Sequence, residues 1–294
     1  MFRRALICTD FKDGLHRFVR FVPSLHKAGI NHITFLHTLA LPEDREIPRP
    51  DEEQEQEIRE RLAEATASVP EGMTVEVDVQ SGKPIDHINR AIEAHQIEVI
   101  FLGMPSRNRL TERLFGSTTV ELCKRLTIPL LILRPQLIST YTVEELDLRC
   151  QHLFRYLLLP YDNSNAANYL LKKVEHYASQ QSEQYLRQCL LFRSVDDVSR
   201  KGLRDMQSYK LQEAEQSLND VKPKLEAVGL SVETIIRQGQ GIPELLHAAM
   251  EYDITAIAIS SDSFGKLIEL SSPSFAGEVL RRSWHPVLYF PPER

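Results

Sequence analysis

The residues best suited by type and spacing to do chemistry lie in one run: Gly103-Met-Pro-Ser106-Arg-Asn-Arg-Leu-Thr-Glu-Arg-Leu-Phe-Gly116-Ser117-Thr118-Thr119. Gly103 closes an apolar stretch and lets the backbone turn tightly. Gly116 stands just before a helical pattern. At a helix N-terminus the free main-chain N–H groups and the positive end of the dipole can hold a phosphate. Glycine there allows close approach and positive φ. Ser117 and Thr118 add hydroxyl donors and can cap the helix. Arg107, Arg109 and Arg113 bring positive charge. The same residues also suit a purely structural role, a Gly-Ser-Thr cap that binds nothing, and residue type alone leaves both readings open.

Other reactive residues form no pattern. The ten histidines include His16, His26, His32 and His37 in the first third, with no HxH or HxxxH pair among them, so no metal site is expected. Cys8, Cys123, Cys150 and Cys189 make no CxxC pair and read as thiols of a reducing compartment. No Ser/His/Asp or Cys/His motif appears, so no catalytic residue is expected and hydrolysis would be slow at most. The run from Asp51 to Glu57 reads as a solvated first helical turn, where carboxylates suit the dipole.

A net charge of -6 argues against nucleic acid as the main partner, because phosphate-backbone binding needs a basic face. No segment approaches the length of a membrane span. The apolar stretch Ala5 to Cys8 is too short for a signal-peptide core. A cytoplasmic location is therefore expected. At 294 residues, 42% hydrophobic and 26% charged, the chain has the size and composition of two globular domains.

The elements that must position the loop repeat along the chain. Val79 to Ile85 aligns with Ile236 to Ile242, placing Gly82 on Gly239 at an offset of 157 residues. The offset then holds without a gap: Ile97 meets Ile254, Ser117 meets Ser274, Glu121 meets Glu278 and Pro129 meets Pro286. A duplicated domain is the simple reading. In the first copy, strands are expected at Ala5–Cys8, Ile33–His37, Val75–Val79, Val99–Leu102 and Leu130–Leu133. Helices are expected over Gly14–Ala28, Asp51–Ser68, Ile85–His95 and Thr118–Leu126. The boundaries that follow are residues 1–136 for the first domain, 137–153 for a linker and 154–294 for the second. Strands alternating with helices, the central ones apolar throughout, imply an α/β fold with doubly wound parallel sheets. In such sheets ligands sit beyond the carboxyl ends of the strands, where strand order reverses.

Both halves resemble universal stress protein domains, and the resemblance covers nearly the whole chain. ATP-binding members of that family carry Gly, two residues, Gly, nine residues, Gly, then Ser or Thr. Gly103 matches the first glycine, Ser106 replaces the second, Gly116 matches the third and Ser117 the hydroxyl. Thr9-Asp10-Phe11 resembles the family's signature after the first strand, where the aspartate lies near adenine and ribose. Thr38 falls where the family's backbone meets the adenine. The resemblance implies five strands per domain in the order 3-2-1-4-5 and association through the last strand, as an internal pseudo-dimer or a homodimer. It also implies an adenine nucleotide as ligand, with ATP, accompanied by Mg²⁺ or Mn²⁺, ahead of AMP or a cyclic dinucleotide. Bound ligand would then be a signal read by a protein partner. In the second domain Ser260, Ser263 and Pro273 replace the three glycines, so its loop is expected to be degenerate. The alternative reading is a nucleotide-free regulatory scaffold.

Overall fold

The computed structural model of the chain describes residues 1–41, 52–104, 126–181, 183, 185–197, 204–262 and 274–292. The fold divides into two compact units, Phe2–Leu153 and Phe154–Arg294. In the first, β1 (Arg4–Cys8), β2 (His32–Leu39), β3 (Thr74–Ser81), β4 (Val99–Gly103) and β5 (Leu130–Leu133) form a parallel sheet in the order β3-β2-β1-β4-β5. Its helices are α1 (Val22–Lys27), α2 (Glu52–Leu62), α3 (Pro84–His95), α4 (Pro135–Thr140) and α5 (Val143–Gln151). Ala5, Leu6 and Ile7 of β1 and Val99 to Phe101 of β4 have no exposed surface. Layers on both faces of a parallel sheet bury its central strands, hence their unbroken apolar runs.

The second unit repeats the plan. β6 (Tyr156–Pro160), β7 (Gln188–Val195), β8 (Ser231–Gln238), β9 (Ala256–Ser260) and β10 (Val287–Phe290) pair in parallel in the order β8-β7-β6-β9-β10. The helices are α6 (Asn165–Ser179), α7 (Arg204–Ala227), α8 (Gly241–Glu251) and α9 (Phe275–Arg282). Both units therefore have the five-stranded order expected.

The duplication is exact in its later half. Adding 157 to the bounds of β3, β4 and β5 gives the bounds of β8, β9 and β10. Unusual backbone angles repeat too. Gly82 and Gly239 have φ of 133° and 138°, and Gln96 and Asp253 have φ of 51° and 48°. After the first strand of each unit, Phe11 and Asn163 are left-handed at 62° and 65°. Asparagine tolerates that region; phenylalanine is an outlier in it.

Two stretches differ from their sequence reading. The expected helix Gly14–Ala28 is a 3-10 segment, Leu15–Phe21, followed by α1. Pro23 has no N–H to donate back to the preceding turn, and it occupies the first turn of a new helix instead. Residues 137–153, read as a linker, contribute the end of α4 and all of α5 and belong to the first compact unit. Arg17 donates to the main-chain carbonyls of Ile138 and Tyr141, tying this stretch down. The expected helix Thr118–Leu126 lies outside the described residues up to 125.

Candidate functional site

Strand order reverses between β1 and β4 in the first unit, so the carboxyl ends of these strands, at Cys8 and Gly103, lie where this fold holds ligands. The loop after β1 is built around two aspartates. Asp10 Oδ1 accepts from the main-chain N–H groups of Lys12 (2.9 Å) and Asp13 (3.0 Å), a local turn that residue's short side chain favours. Asp13 accepts from the Thr9 hydroxyl (2.9 Å), the Leu15 N–H (2.9 Å) and the Asp10 N–H (3.3 Å). Burial pushes the Asp13 carboxyl up to about 6, although those donors pull the other way. A carboxyl raised by burial at the ligand end of a sheet is a site candidate in its own right. Burial and Asp13 also push up the Cys8 thiol, which keeps it protonated and unreactive.

Gly103 packs directly against this loop. A Cβ built on it would lie 2.3 Å from the Asp13 Cβ, a separation no side chain can occupy. The glycine expected for its turn therefore also makes room for Asp13. Thr38 stands near the end of β2, in register with Gln80. Its neighbour His37 is buried, with Nδ1 lacking a hydrogen-bond partner, and burial holds its pKa below the ordinary value. The His37 ring lies 5.0 Å from that of Phe11, and the Arg61 guanidinium sits 3.8 Å above the Phe11 ring. Asp10, Thr38 and Gly103 are thus brought to one end of one sheet. Ser106, Gly116, Ser117 and Thr118 lie outside the described residues.

The corresponding end of the second unit forms a cleft of about 470 Å³, within the usual range for small-molecule sites. The counterparts of Asp10, Thr38, Gly103 and Ser117 are Asp162, Ser194, Ser260 and Ser274, and all four line it. Ser260 replaces glycine without filling the space, because its hydroxyl donates to the Phe290 carbonyl at 2.8 Å. Gly241 brings the start of α8 close: a Cβ there would meet the Ser194 hydroxyl at 2.9 Å. Ser274 caps α9 by accepting from the Gly277 N–H at 3.1 Å, and the N-terminus of that helix opens on the cleft. Arg193, the counterpart of His37, also lines it, and its Nη1 is buried without a hydrogen-bond partner. Arg193, the serine hydroxyls and the α9 N-terminus can meet an anionic group, while Asp162, Asp196 and Asp262 line the same cleft with carboxylates.

Asp13, Arg193 and the second cleft escape a reading based on loop glycines. Arg193 sits in a strand that reads as an ordinary buried one, and the cleft is made of strand ends rather than of a motif. The expected degeneracy of the second loop rests on Ser260, Ser263 and Pro273, of which the last two lie outside the described residues.

Comparison with known proteins covers both units. The universal stress protein family matches residues 1–134 and 154–291. The chain is similar along its length to the crystal structure of a universal stress protein from Archaeoglobus fulgidus DSM 4304, at 20% identity over 97% of each chain, with a TM-score of 0.60. It is also similar to a functionally unknown protein from Pseudomonas aeruginosa PAO1, at 14% identity over 98% of this chain and 92% of that one, with a TM-score of 0.57. At such identities these likenesses speak to the fold. No curated protein matches the chain. Among the described residues no helix is long and apolar enough to cross a membrane.

Proposed function

The chain belongs to the universal stress protein family, and on that footing we propose that it is an adenine-nucleotide-binding regulator of the stress response that holds its ligand in the first unit. The observation that carries the reading is the placement of Gly103 beside the loop of Thr9, Asp10 and Asp13, at the point where strand order reverses. Gly103 opens the spaced run that ends in Gly116 and Ser117. The proposed ligand is ATP, with Mg²⁺ or Mn²⁺ as its companion ion. The phosphates would lie against Gly116, Ser117 and Thr118, where the sequence leads one to expect a helix start, and the adenine side against Asp10 and Thr38. Occupancy of the site, rather than turnover, is the output, and a protein partner reads it.

A second reading rests on the cleft of the second unit. Its open volume, Arg193 and the N-terminus of α9 favour a phosphate-bearing ligand there. Two substitutions separate the readings in a calorimetric titration with ATP. Gly116→Val blocks close phosphate approach in the first unit. Losing two or three hydrogen bonds to a charged phosphate, at about 1.5–3 kcal/mol each, weakens binding at least about 100-fold. Ser260→Phe fills the second cleft. The first reading expects only Gly116→Val to abolish binding; loss with Ser260→Phe alone would transfer the site to the second unit.

A further inference from the structure

At the amino ends of the strands in the first unit, away from the loops just described, three side chains from three elements converge. His32 opens β2, Glu76 lies in β3 and His95 closes α3. The Glu76 Oε1 is 3.4 Å from the His95 Nδ1 and 3.9 Å from the His32 Nε2. One ligand atom from each of the three lies within 4.8 Å of the others. The two imidazoles stack with centroids 5.1 Å apart and planes 30° from parallel.

Register produces the convergence. Thr34 of β2 pairs with Glu76 of β3, and His32 shares the face of Thr34 because strand side chains alternate. No sequence spacing announces the group, since its members come from a strand start, a strand middle and a helix end.

A simple ion pair accounts poorly for the arrangement. His32 is only 5% exposed. A neutral imidazole carries a lone pair on one nitrogen, and that is the form that binds metals. Arg4 faces the group and donates to the His95 carbonyl, while the Thr34 hydroxyl stands 3.1 Å from the His32 Nε2.

We propose that His32, Glu76 and His95 form a site for a divalent transition-metal ion of the Zn²⁺ class, with the remaining coordination positions left to water. Two imidazole nitrogens and one carboxylate oxygen are a donor set for such borderline ions. Metal–ligand bonds of about 2.0–2.2 Å place neighbouring donors in a tetrahedral shell about 3.4 Å apart. The Glu76–His95 separation already matches that figure. Glu76 and His95 are partly exposed, at 44% and 23% of their side chains, and are free to close the remaining gap by small rotations. A bound ion would tie β2, β3 and α3 together and stabilise the folded state by mass action.

The test is titration of the nucleotide-free full chain with Zn²⁺ by calorimetry, and with Co²⁺ by visible absorption. One saturable site is expected, with a rise in Tm on Zn²⁺ addition. His95→Ala and Glu76→Gln each should weaken binding at least about tenfold and remove the Tm rise. Both side chains are exposed enough for the variants to fold, and either one suffices should the other misfold. His247→Ala, which removes an exposed histidine with its own i,i+4 glutamate, Glu251, should bind as the parent does. Absence of saturable binding to the parent, or affinity equal to the parent's in both His95→Ala and Glu76→Gln, would overturn the proposal.

Discussion

A carboxyl held at about 6 builds a pH dependence into the fold at a single residue. The folded-state pKa of Asp13 lies above the unfolded value of about 3.9, so the native state favours its proton. The resulting stabilisation is fully present below about pH 4 and is lost as pH rises through about 6. Asp13→Asn carries no such titration. Its stability relative to the parent should therefore climb by on the order of 1–3 kcal/mol between pH 4 and pH 7. Urea unfolding at several pH values measures this, and a difference independent of pH would contradict the burial of Asp13. Gly103→Ala should be destabilising at every pH, by about 1–3 kcal/mol, because its Cβ has no room beside Asp13. A Tm equal to the parent's would refute that packing. Asp10 and Gly103 were legible in the sequence as members of spaced motifs. Asp13 was not, because its burial comes from β1 and β4 meeting across some ninety residues of chain.

Among the elements, α9 offers the cleanest trial. Ser274 accepts the Gly277 N–H, and Ser274→Ala should destabilise the second unit by about 1 kcal/mol, with faster amide exchange in the first turn of α9. Unchanged exchange would mean that the cap contributes nothing. Strands were readable because a doubly covered parallel sheet demands continuous apolar runs. The gapless offset of 157 was readable for the same physical reason: β3 to β5 and β8 to β10 keep the same lengths and spacings. The 3-10 segment before Pro23 was harder to see, since its apolar spacing is compatible with an α-helix. The helix α5 within 137–153 was passed over although Thr142 and Glu145 spell a capping box, which the structure forms. The apolar faces there are short, and periodicity is a weak signal over nine residues.

For the molecule as a whole, duplication followed by divergence explains the contrast between the units. One unit keeps two of the three glycines of the spaced run, Gly103 and Gly116; the other has Ser260, Ser263 and Pro273 in their places, yet retains an open cleft with Arg193 in its wall. The duplication was legible in the sequence. The cleft was not, because it is lined by strand ends and helix starts far apart in sequence, among them Asp162, Ser194, Ser260 and Ser274. The central claim, that the first unit is the nucleotide site, is tested most directly by calorimetric titration of the full chain and its Gly116→Val variant with ATP. The account predicts about one nucleotide per parent chain and loss of that binding in the variant. A stoichiometry near two, or a single site that survives Gly116→Val, would contradict it.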